Sequence, residues 1–381
     1  MATLFDYVFW RGDLTLAQDA WRPADSALLA SLCYLNPGDP ARGTEGIGLR
    51  DFALSLPDRK DNQLYRDRRT LCVLMAGSRR WGEIRISRFV YEVNPEAGIQ
   101  FAAFCAGLPD GTSAVCYRGT DASLVGWRED FELSYASPVP AQTAAVRYLE
   151  EAPEGPLLLL GHSKGGNLAA YAAAHAPEAV QGRIRDVWSF DGPGLDDATI
   201  ASAGYQRVRE RIHSLIPQSS VIGLLMDYHP DYTIVRADAA SLMQHNLHTW
   251  QMDGPSFAEV AATSFSSQLI DRTLHDWLKA AAPEERQRFV ESVFHVLEAS
   301  GARTLQELGK LDLPAVGQMM KAVSELREED RKLVSTLFGR FFSLSASSAV
   351  AMGRDFLAQT AGGSSFLSWL QKGGADDGKN N

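Results

Sequence analysis

The sequence has few cysteines, and their spacing does not suit a metal ion. Its 381 residues include four cysteines, which form neither a Cys-x-x-Cys pair nor another ligand spacing. A chain of this length buries a large enough core to be stable without disulfide bonds. We therefore expect no metal site, no cofactor and reduced core thiols at Cys33, Cys72, Cys105 and Cys116.

Long apolar runs and an excess of basic residues are also missing. No segment approaches the roughly 20 apolar residues of a membrane-spanning helix, and the N-terminal residues show no signal-peptide pattern. Asp and Glu number 47 against 37 Lys and Arg, which disfavours a nucleic-acid partner held through its phosphates. We expect a cytoplasmic protein with no transmembrane segment and no nucleic-acid partner, whose composition is compatible with peripheral contact with lipid.

Short apolar strands alternate with helical segments through the first two thirds of the chain. This alternation predicts an α/β fold in which a mainly parallel sheet is flanked by helices. Two of the strands form a hairpin across Pro109-Asp110-Gly111. The predicted strands are 99–108, 112–117, 157–160, 187–190, 212–216 and 232–236, and the predicted helices are 25–35, 141–151, 163–175 and 198–209.

The pattern changes at about residue 256, after which only helical periodicity is found. Helices are predicted at 270–280, from Pro283 to Gly301, over 319–326 and from about Asp330, with a capping box from Thr304 to Glu307. We expect an α/β domain with an N-terminal extension over 1–255, a helical C-terminal region over 256–370 and a disordered tail over 371–381.

The most informative segment is Gly161-His-Ser-Lys-Gly165, which follows an apolar run and precedes an Ala-rich helix. Gly-x-Ser-x-Gly between a buried strand and a helix predicts a nucleophile elbow that exposes the hydroxyl of Ser163. Glycines are needed on both sides because strand and helix backbones approach closely there. A phosphate-binding loop is disfavoured because the Gly-Lys-Ser/Thr ending is missing. An idle serine in a glycine-rich turn is the plainer alternative.

A serine hydroxyl becomes nucleophilic only when a base accepts its proton. In an elbow-bearing sheet the histidine follows the last strand, which favours His245 over His248 as the base. His162 is adjacent to Ser163, and we expect its side chain to point away and to pack within the turn. A loop histidine that merely bonds a carbonyl is the alternative interpretation of His245.

The oxyanion formed in ester cleavage needs two hydrogen-bond donors. One is expected to be the backbone N–H of Lys164, which follows the nucleophile. The other is expected at Thr120, because Val115-Cys-Tyr-Arg-Gly-Thr120 is a strand that ends in a glycine turn on the same side of the sheet. Arg118 is expected to hold that turn through a carboxylate or a carbonyl.

These residues match a known pattern. Tyr117-Arg-Gly-Thr120, followed about forty residues later by Gly-His-Ser-Lys-Gly-Gly-Asn-Leu-Ala, resembles the fungal-type (class 3) lipases, whose cores are α/β-hydrolase folds. The whole chain is similar to a group of uncharacterised bacterial lipase-like proteins. The resemblance implies a serine hydrolase with Ser163 as nucleophile, His245 as base and Thr120 and Lys164 as oxyanion donors.

The position of the acid departs from that pattern. The lipases carry it as Asp-x-Val-Pro, and the corresponding stretch here, Ser219-Ser-Val-Ile-Gly223, contains no carboxylate. Asp191, at the tip of the preceding strand in Phe-Asp-Gly-Pro-Gly, is preferred over Asp227 and Asp231 because a triad is defined by geometry. Asp191 could instead cap its glycine turn.

The leading hypothesis is therefore a serine esterase or lipase-like acyl hydrolase that acts on a small-molecule or lipid ester. A catalytically inactive binding module is an alternative, because the carboxylate is missing at the lipase position. An acyltransferase or a thioesterase would use the same acyl-enzyme chemistry.

Overall fold

The computed structural model describes residues 2–59, 62–121, 123–220, 222–224, 232–239, 241–264, 281–304, 307 and 313–331. Eight strands of this part of the chain form one sheet in which neighbours follow chain order: β1 (Ile47–Gly48), β2 (Arg85–Asn94), β3 (Ile99–Gly107), β4 (Ser113–Tyr117), β5 (Leu157–His162), β6 (Ile184–Phe190), β7 (Ile212–Pro217) and β8 (Tyr232–Val235). Strands β1 to β4 pair antiparallel. Strands β4 to β8 pair parallel.

Helices connect the parallel strands and cover the sheet. Within the described residues these are α1 (Leu4–Arg11), α2 (Pro23–Leu32), α3 (Leu49–Ser55), α4 (Gln63–Ala76), α5 (Leu124–Glu132), α6 (Pro140–Glu150), α7 (Lys164–His175), α8 (Glu178–Gln181), α9 (Asp197–Ala201) and α10 (Ala203–Val208). Two further helices, α11 (Pro283–Glu298) and α12 (Leu313–Glu325), follow later in the chain. The expected class, a mainly parallel sheet of the α/β-hydrolase type flanked by helices, with further helices at the C-terminal end, is confirmed.

The central strand β5 is buried on both faces, which explains its unbroken apolar sequence. Leu158 and Leu160 pack into a core formed with helices α1 to α4. Leu157 and Leu159 point the other way, into a core formed with α6, α7 and α10. Side chains alternate between the two cores because successive residues of a strand face opposite sides of a sheet.

Most predicted elements are found within a few residues of their expected bounds, but β2 was not predicted. The register of β2 against β3 shifts between Ser87 and Val90, and Arg88 in this bulge has a φ of +55°. The bulge separates the buried Ile86 and Phe89 by three positions and so hides the period-2 pattern of a strand. The predicted helix 198–209 is interrupted at Ser202, whose extended backbone and side chain cap α10.

The chain divides into two compact units, Met1–Asp121 with Val125–Leu278, and Ala122–Leu124 with Lys279–Asn381. In the second unit, Phe289, Val293 and Phe294 of α11 are buried, and the predicted capping box forms, with Thr304 and Glu307 exchanging hydrogen bonds of 3.2 and 3.3 Å. The predicted helix at 270–280, most of the one from Asp330 and the tail 371–381 lie outside the described residues. The domain boundary that the sequence predicts between residues 255 and 256 stays a prediction.

Disulfide bonds, clustered metal ligands and membrane-spanning helices are not found among the described residues. All four cysteines are buried, and none forms a disulfide bond. No group of three or more potential metal ligands is found in the described part of the chain. None of the helices described there combines the length and the apolar character needed to cross a bilayer.

The N-terminal helices are held together by a buried carboxylate, Asp25 of α2. It accepts hydrogen bonds from the guanidinium of Arg80 at 2.6 and 2.9 Å and from the indole N–H of Trp81 at 3.0 Å. The hydroxyl of Tyr7 donates at 3.1 Å and the backbone N–H of Arg22 at 2.8 Å. The side chains of Asp25 and Arg80 are both fully buried, so each charge depends on the other for compensation.

Replacing Asp25 by Ala should therefore lower the free energy of unfolding by about 3–5 kcal/mol, because the guanidinium of Arg80 would remain buried without a counter-charge. Urea denaturation followed by circular dichroism measures this loss. The exposed Asp13 provides the control, since Asp13→Ala should change stability by less than about 0.5 kcal/mol. Equal stability of the two variants would contradict the assigned role of Asp25.

Candidate active site

Ser163 occupies a sharp turn between β5 and α7. Its φ of +59° and ψ of −136° fall in a region that residues with a Cβ rarely adopt, so the turn is strained. Hydrogen bonds of both backbone groups of Ser163 hold this strained conformation in place. The Ser163 N–H donates to the carbonyl of Phe190 at 3.0 Å, and its carbonyl accepts from the N–H of Gly166 at 2.8 Å.

The glycines around Ser163 are required by close backbone contacts. A Cβ on Gly161 would collide with the carbonyl group of Gly165, and a Cβ on Gly165 would collide with the carbonyl oxygen of Tyr117 in β4. Helix α7 therefore starts against β4 and β5 at a distance that only glycine permits. This is the geometry expected of a nucleophile elbow.

His245 lies at the end of a one-turn 3₁₀ segment, Ser241–His245, called the 241–245 turn below. Its Nδ1 is 2.6 Å from Oδ2 of Asp191. A carboxylate only accepts, so Nδ1 carries the proton and donates, while Nε2 keeps its lone pair. Nε2 has no hydrogen-bond partner among the described residues. The imidazole is 28% exposed, so a ligand can reach it.

Asp191 is fixed in place from several directions. Its φ is +50°, its N–H donates to the carbonyl of Leu215 at 2.8 Å, and its carboxylate is buried. Oδ1 accepts from the hydroxyl of Ser220 at 2.5 Å and from the N–H of Gly223 at 3.1 Å. The stretch 219–223, where the lipase pattern places an acid, thus supplies donors that hold the carboxylate of Asp191.

The alternative residues considered for these positions are placed differently. Asp227 and Asp231 lie outside the described residues. His248 is buried, with Nε2 2.8 Å from the hydroxyl of Ser31, and burial lowers its pKa to about 3. His248 is therefore a neutral core residue.

The structure brings Asp191 and His245 into contact, but it does not join His245 to Ser163 by a hydrogen bond. The hydroxyl of Ser163 makes no side-chain hydrogen bond with any described residue, and Ser163 itself is 8% exposed. The imidazole of His245 stacks on that of His162, the residue before Ser163, with ring centroids 4.5 Å apart. The ring of His245 is therefore held against the residue that precedes the elbow serine in the chain.

His162 anchors the 241–245 turn. Its Nε2 is 2.7 Å from the carbonyl oxygen of His245, and its Nδ1 is 2.8 Å from the hydroxyl of Tyr34. A carbonyl only accepts, so Nε2 carries the proton and Nδ1 accepts from Tyr34. Burial, with a smaller contribution from His245, lowers the pKa of His162 well below its ordinary value. A neutral His162 with both nitrogens bonded is unsuited to be the base.

Gln244 and Trp250 fix the same turn from its other side. The amide of Gln244 accepts from the N–H of Ser219 at 2.8 Å and donates to the carbonyl of Ala239 at 2.8 Å. The indole of the fully buried Trp250 donates to the carbonyl of Gln244 at 2.8 Å. Because Ser219 belongs to the stretch that holds Asp191, one network orients both the carboxylate and the imidazole.

The two predicted oxyanion donors lie in turns on neighbouring strands. The N–H of Lys164 is the first of α7 and has no acceptor within the helix. The N–H of Thr120 has no partner among the described residues. The hydroxyl of Thr120 is different, because it donates to Oδ2 of Asp130 at 2.5 Å. Only the backbone N–H of Thr120 is therefore available to a ligand.

The side chain of Lys164 has a structural role that the sequence analysis missed. Its ammonium group is fully buried and donates to the carboxylate of Glu129 at 2.7 Å and to the carbonyl and amide oxygens of Gln100 at 3.0 and 2.9 Å. Asp130 lies 3.9 Å from the same ammonium. Burial raises the pKa of Asp130 to about 6, and Lys164 and the Thr120 hydroxyl limit this rise.

Arg118 holds the turn before Thr120, as expected. Its guanidinium pairs with the carboxylate of Asp121 at 3.1 Å. Gly119 in this turn is tightly enclosed, since a Cβ there would collide with the hydroxyl of Tyr34 and approach the Cβ of Ser163 to 2.8 Å. The two turns that carry the candidate oxyanion donors are thus in direct contact.

The family model named Mbeg1-like matches residues 75–295 of the 381-residue chain, which is more than half of it. The chain belongs to the Mbeg1-like family. The matched range includes the elbow, Asp191 and His245. It leaves out Tyr34, which contacts this site, and helices α1 to α3.

Comparisons with solved structures and with curated proteins add less information than the family model. The Mbeg1-like chain is similar to the crystal structure of M37 lipase, with 14% sequence identity and a TM-score of 0.36 over 54% of this chain and 70% of that one. A similarity this distant says nothing about activity. No curated protein matches the chain.

The two buried histidines predict acid sensitivity. In the unfolded chain a histidine has a pKa near ~6.5, whereas the folded values of His162 and His248 are lower. The unfolded chain therefore binds more protons below that pH, and stability falls as pH decreases. His248 should cost roughly 2 kcal/mol at pH 5 relative to pH 7.5, and His162 should add to the loss in the same direction.

Urea titrations of His248→Gln at the two pH values test this. The variant should lose less stability on acidification than the parent, by roughly the contribution of one histidine. The exposed His295 is the matched control, and His295→Gln should retain the parent's pH dependence. An unchanged pH dependence in His248→Gln would contradict the assignment of His248 as a buried neutral residue.

Proposed function

We propose that this protein is a serine hydrolase of the esterase or lipase type, which cleaves a carboxylic ester through an acyl-enzyme on Ser163. The observation that carries the proposal is the hydrogen bond of 2.6 Å between Asp191 and His245 beside a strained elbow serine. The bond fixes the tautomer in which Nε2 of the imidazole is a free acceptor, which is the form a general base needs.

The residues divide the reaction between them. The hydroxyl of Ser163 attacks the ester carbonyl while Nε2 of His245 takes its proton, and the resulting imidazolium passes that proton to the leaving alcohol. Water then attacks the acyl-enzyme with His245 again as base. Asp191 stays ionised throughout and stabilises the imidazolium. The Ser163 hydroxyl must turn toward Nε2 when the ester binds, and catalytic hydrogen bonds often shorten in this way on substrate binding.

The tetrahedral intermediate places a negative charge on the former carbonyl oxygen. The backbone N–H groups of Lys164 and Thr120 are the donors assigned to this charge, because neither has a partner in the described part of the chain. Fixed backbone donors are effective since they need no reorganisation during the reaction. Thr120 acts through its backbone, and Asp130 acts on it indirectly by holding the hydroxyl.

The finer assignments belong to the same proposal. The substrate is a small-molecule or lipid ester, the relatives in mechanism are the class 3 lipases, and the protein works in the cytoplasm. The inactive binding module was considered because no carboxylate occurs in 219–223. The contact of Asp191 with His245 favours the hydrolase, since it offers a carboxylate from another position. An acyltransferase or thioesterase would share Ser163, and interception of the acyl group by added alcohols or thiols would distinguish them.

A fluorophosphonate probe tests the nucleophile. The folded parent should be labelled at Ser163 and should hydrolyse short p-nitrophenyl esters, whereas Ser163→Ala should show neither. Asp191→Asn should retain the fold and lower kcat roughly 10⁴-fold, because the imidazole would lose its fixed tautomer. Mass spectrometry of the labelled peptide and steady-state kinetics are the measurements.

A second histidine–carboxylate pair in the same sheet provides the control. Nε2 of His213 is 2.8 Å from Oδ1 of Asp186, far along the strands from the elbow. His213→Gln should leave kcat unchanged. Activity in Ser163→Ala equal to that of the parent would refute the proposed function.

The bond between Thr120 and Asp130 leads to a separate prediction. Thr120→Ala keeps the backbone N–H but loses the hydrogen bond that positions it, and Asp130→Asn weakens the same bond. Each variant should lower kcat by roughly tenfold, less than the 10² to 10³ lost with an oxyanion donor itself. The double variant should be no worse than the single ones, because both changes remove one interaction.

Thr112 and Asp110 form a similar pair, with the hydroxyl 2.9 Å from the carboxylate, in the turn of the hairpin. Thr112→Ala should leave kcat unchanged and so controls for general effects of the substitution. Additive losses in Thr120→Ala and Asp130→Asn would show that the two residues act independently.

A further inference from the structure

Arg68 of α4 is a cation that forms no ion pair with any of the described residues. Its guanidinium carbon lies 3.9 Å from the ring centroid of Tyr34. It forms no hydrogen bond or ion pair with any described residue, and its Nε is shielded from solvent without an acceptor. Burial and the positive charge of Arg118 lower the pKa of Arg68, to about 10, so the group stays charged at neutral pH.

Arg80 is a shielded guanidinium whose hydrogen bonds are complete, and it serves as a comparison. It makes two bonds to Asp25, at 2.9 and 2.6 Å, and donates to the carbonyls of Asp19 and Ala20 at 2.8 and 2.9 Å. Desolvating a guanidinium costs free energy that such partners offset. Arg68 lacks them. Of the other arginines whose Nε is shielded and unpaired, Arg88 and Arg118 pair with a carboxylate, whereas no ion pair is found for Arg69 and Arg288 among the described residues. Arg68 differs from these two in its stacking on Tyr34.

Tyr34 connects Arg68 to the proposed catalytic site. The hydroxyl of Tyr34 bonds His162 at 2.8 Å and contacts Gly119, which precedes Thr120. The charge of Arg68 also lowers the pKa values of His162 and His248, which places it within electrostatic range of the elbow. The stacking on Tyr34 holds the planar group in one orientation. A cation with no ion-pair partner among the described residues therefore stacks on the tyrosine whose hydroxyl contacts both the elbow and the oxyanion turn.

We propose that Arg68 binds an anionic group, a phosphate or a carboxylate, carried by the ester substrate. This inference rests on the proposed function and narrows its substrate class to anionic esters. A guanidinium bonds both oxyanions through two parallel N–H groups, and Arg68 is partly exposed, so a ligand can reach its side chain. Binding supplies the direct ion-pair partner that Arg68 lacks among the described residues.

The experiment compares matched substrates. A 1-acylglycerol and its 3-phosphate with the same acyl chain test an anion on the alcohol side, and p-nitrophenyl butyrate and p-nitrophenyl hydrogen glutarate test the acyl side. The readout is the ratio of kcat/KM for the anionic over the neutral ester. In the parent this ratio should exceed that of Arg68→Gln by roughly tenfold or more for one of the two pairs.

Two further variants test whether the effect depends on the charge of residue 68, on its planar shape or on its position on α4. Arg68→Lys keeps a charge but loses the planar fork, so its ratio should fall between those of the parent and Arg68→Gln. Arg66, two residues earlier on α4, is exposed and bonds Gln63. Arg66→Gln should keep the parent's ratio. Equal ratios in the parent and Arg68→Gln for both pairs would overturn the inference while leaving the hydrolase proposal intact.

A binding measurement keeps the two proposals distinguishable. If the parent hydrolyses no ester, calorimetry with the Ser163→Ala variant and the 1-acylglycerol 3-phosphate tests binding alone, and Arg68→Gln in that background should weaken it at least tenfold. Inorganic phosphate is titrated as well. Equal affinity for inorganic phosphate and for the 1-acylglycerol 3-phosphate would indicate that Arg68 binds free phosphate, and it would overturn the substrate assignment.

Discussion

The close approach of α7 to β4 and β5 is the constraint on which the site depends. Gly161 and Gly165 allow this approach, and it forces Ser163 into a backbone conformation with a φ of +59°. The same approach carries the side chain of Lys164 into the interior, where Glu129 neutralises it. One packing contact thus sets the position of the nucleophile, of a backbone donor and of the buried charge beneath them.

Two adjacent imidazoles show how partners determine roles. His162 and His245 stack at 4.5 Å, yet one has both nitrogens bonded to neutral groups and the other bonds a carboxylate and keeps a free lone pair. Their chemistry differs because of what each nitrogen meets, since the residue type is the same. The first serves as a support, and under our proposal the second exchanges protons.

Local features of the site could be predicted from the sequence, and contacts distant in sequence could not. The elbow is encoded within nine residues, because sterics alone require its glycines, and Asp191 follows a recognisable strand. The supports are different. Tyr34 meets His162 across 128 positions and Ser219 meets Gln244 across 25, and no local pattern signals either contact. The strand β2 was missed because its bulge breaks the alternation, and α5, with Glu129 and Asp130, was left unassigned for want of a motif.

The order in which the chain joins these parts has a consequence for how the protein acquires its fold. Helix α2 near the start of the chain holds Ser31 against His248, 217 positions later. Contacts with such sequence separation form slowly, because a long loop must close before they contribute. A ribosome must release the segment beyond residue 250 before Ser31 meets His248, so this side of α2 emerges from the ribosome without that partner, although the contacts of α2 with Arg80 and Trp81 can form earlier.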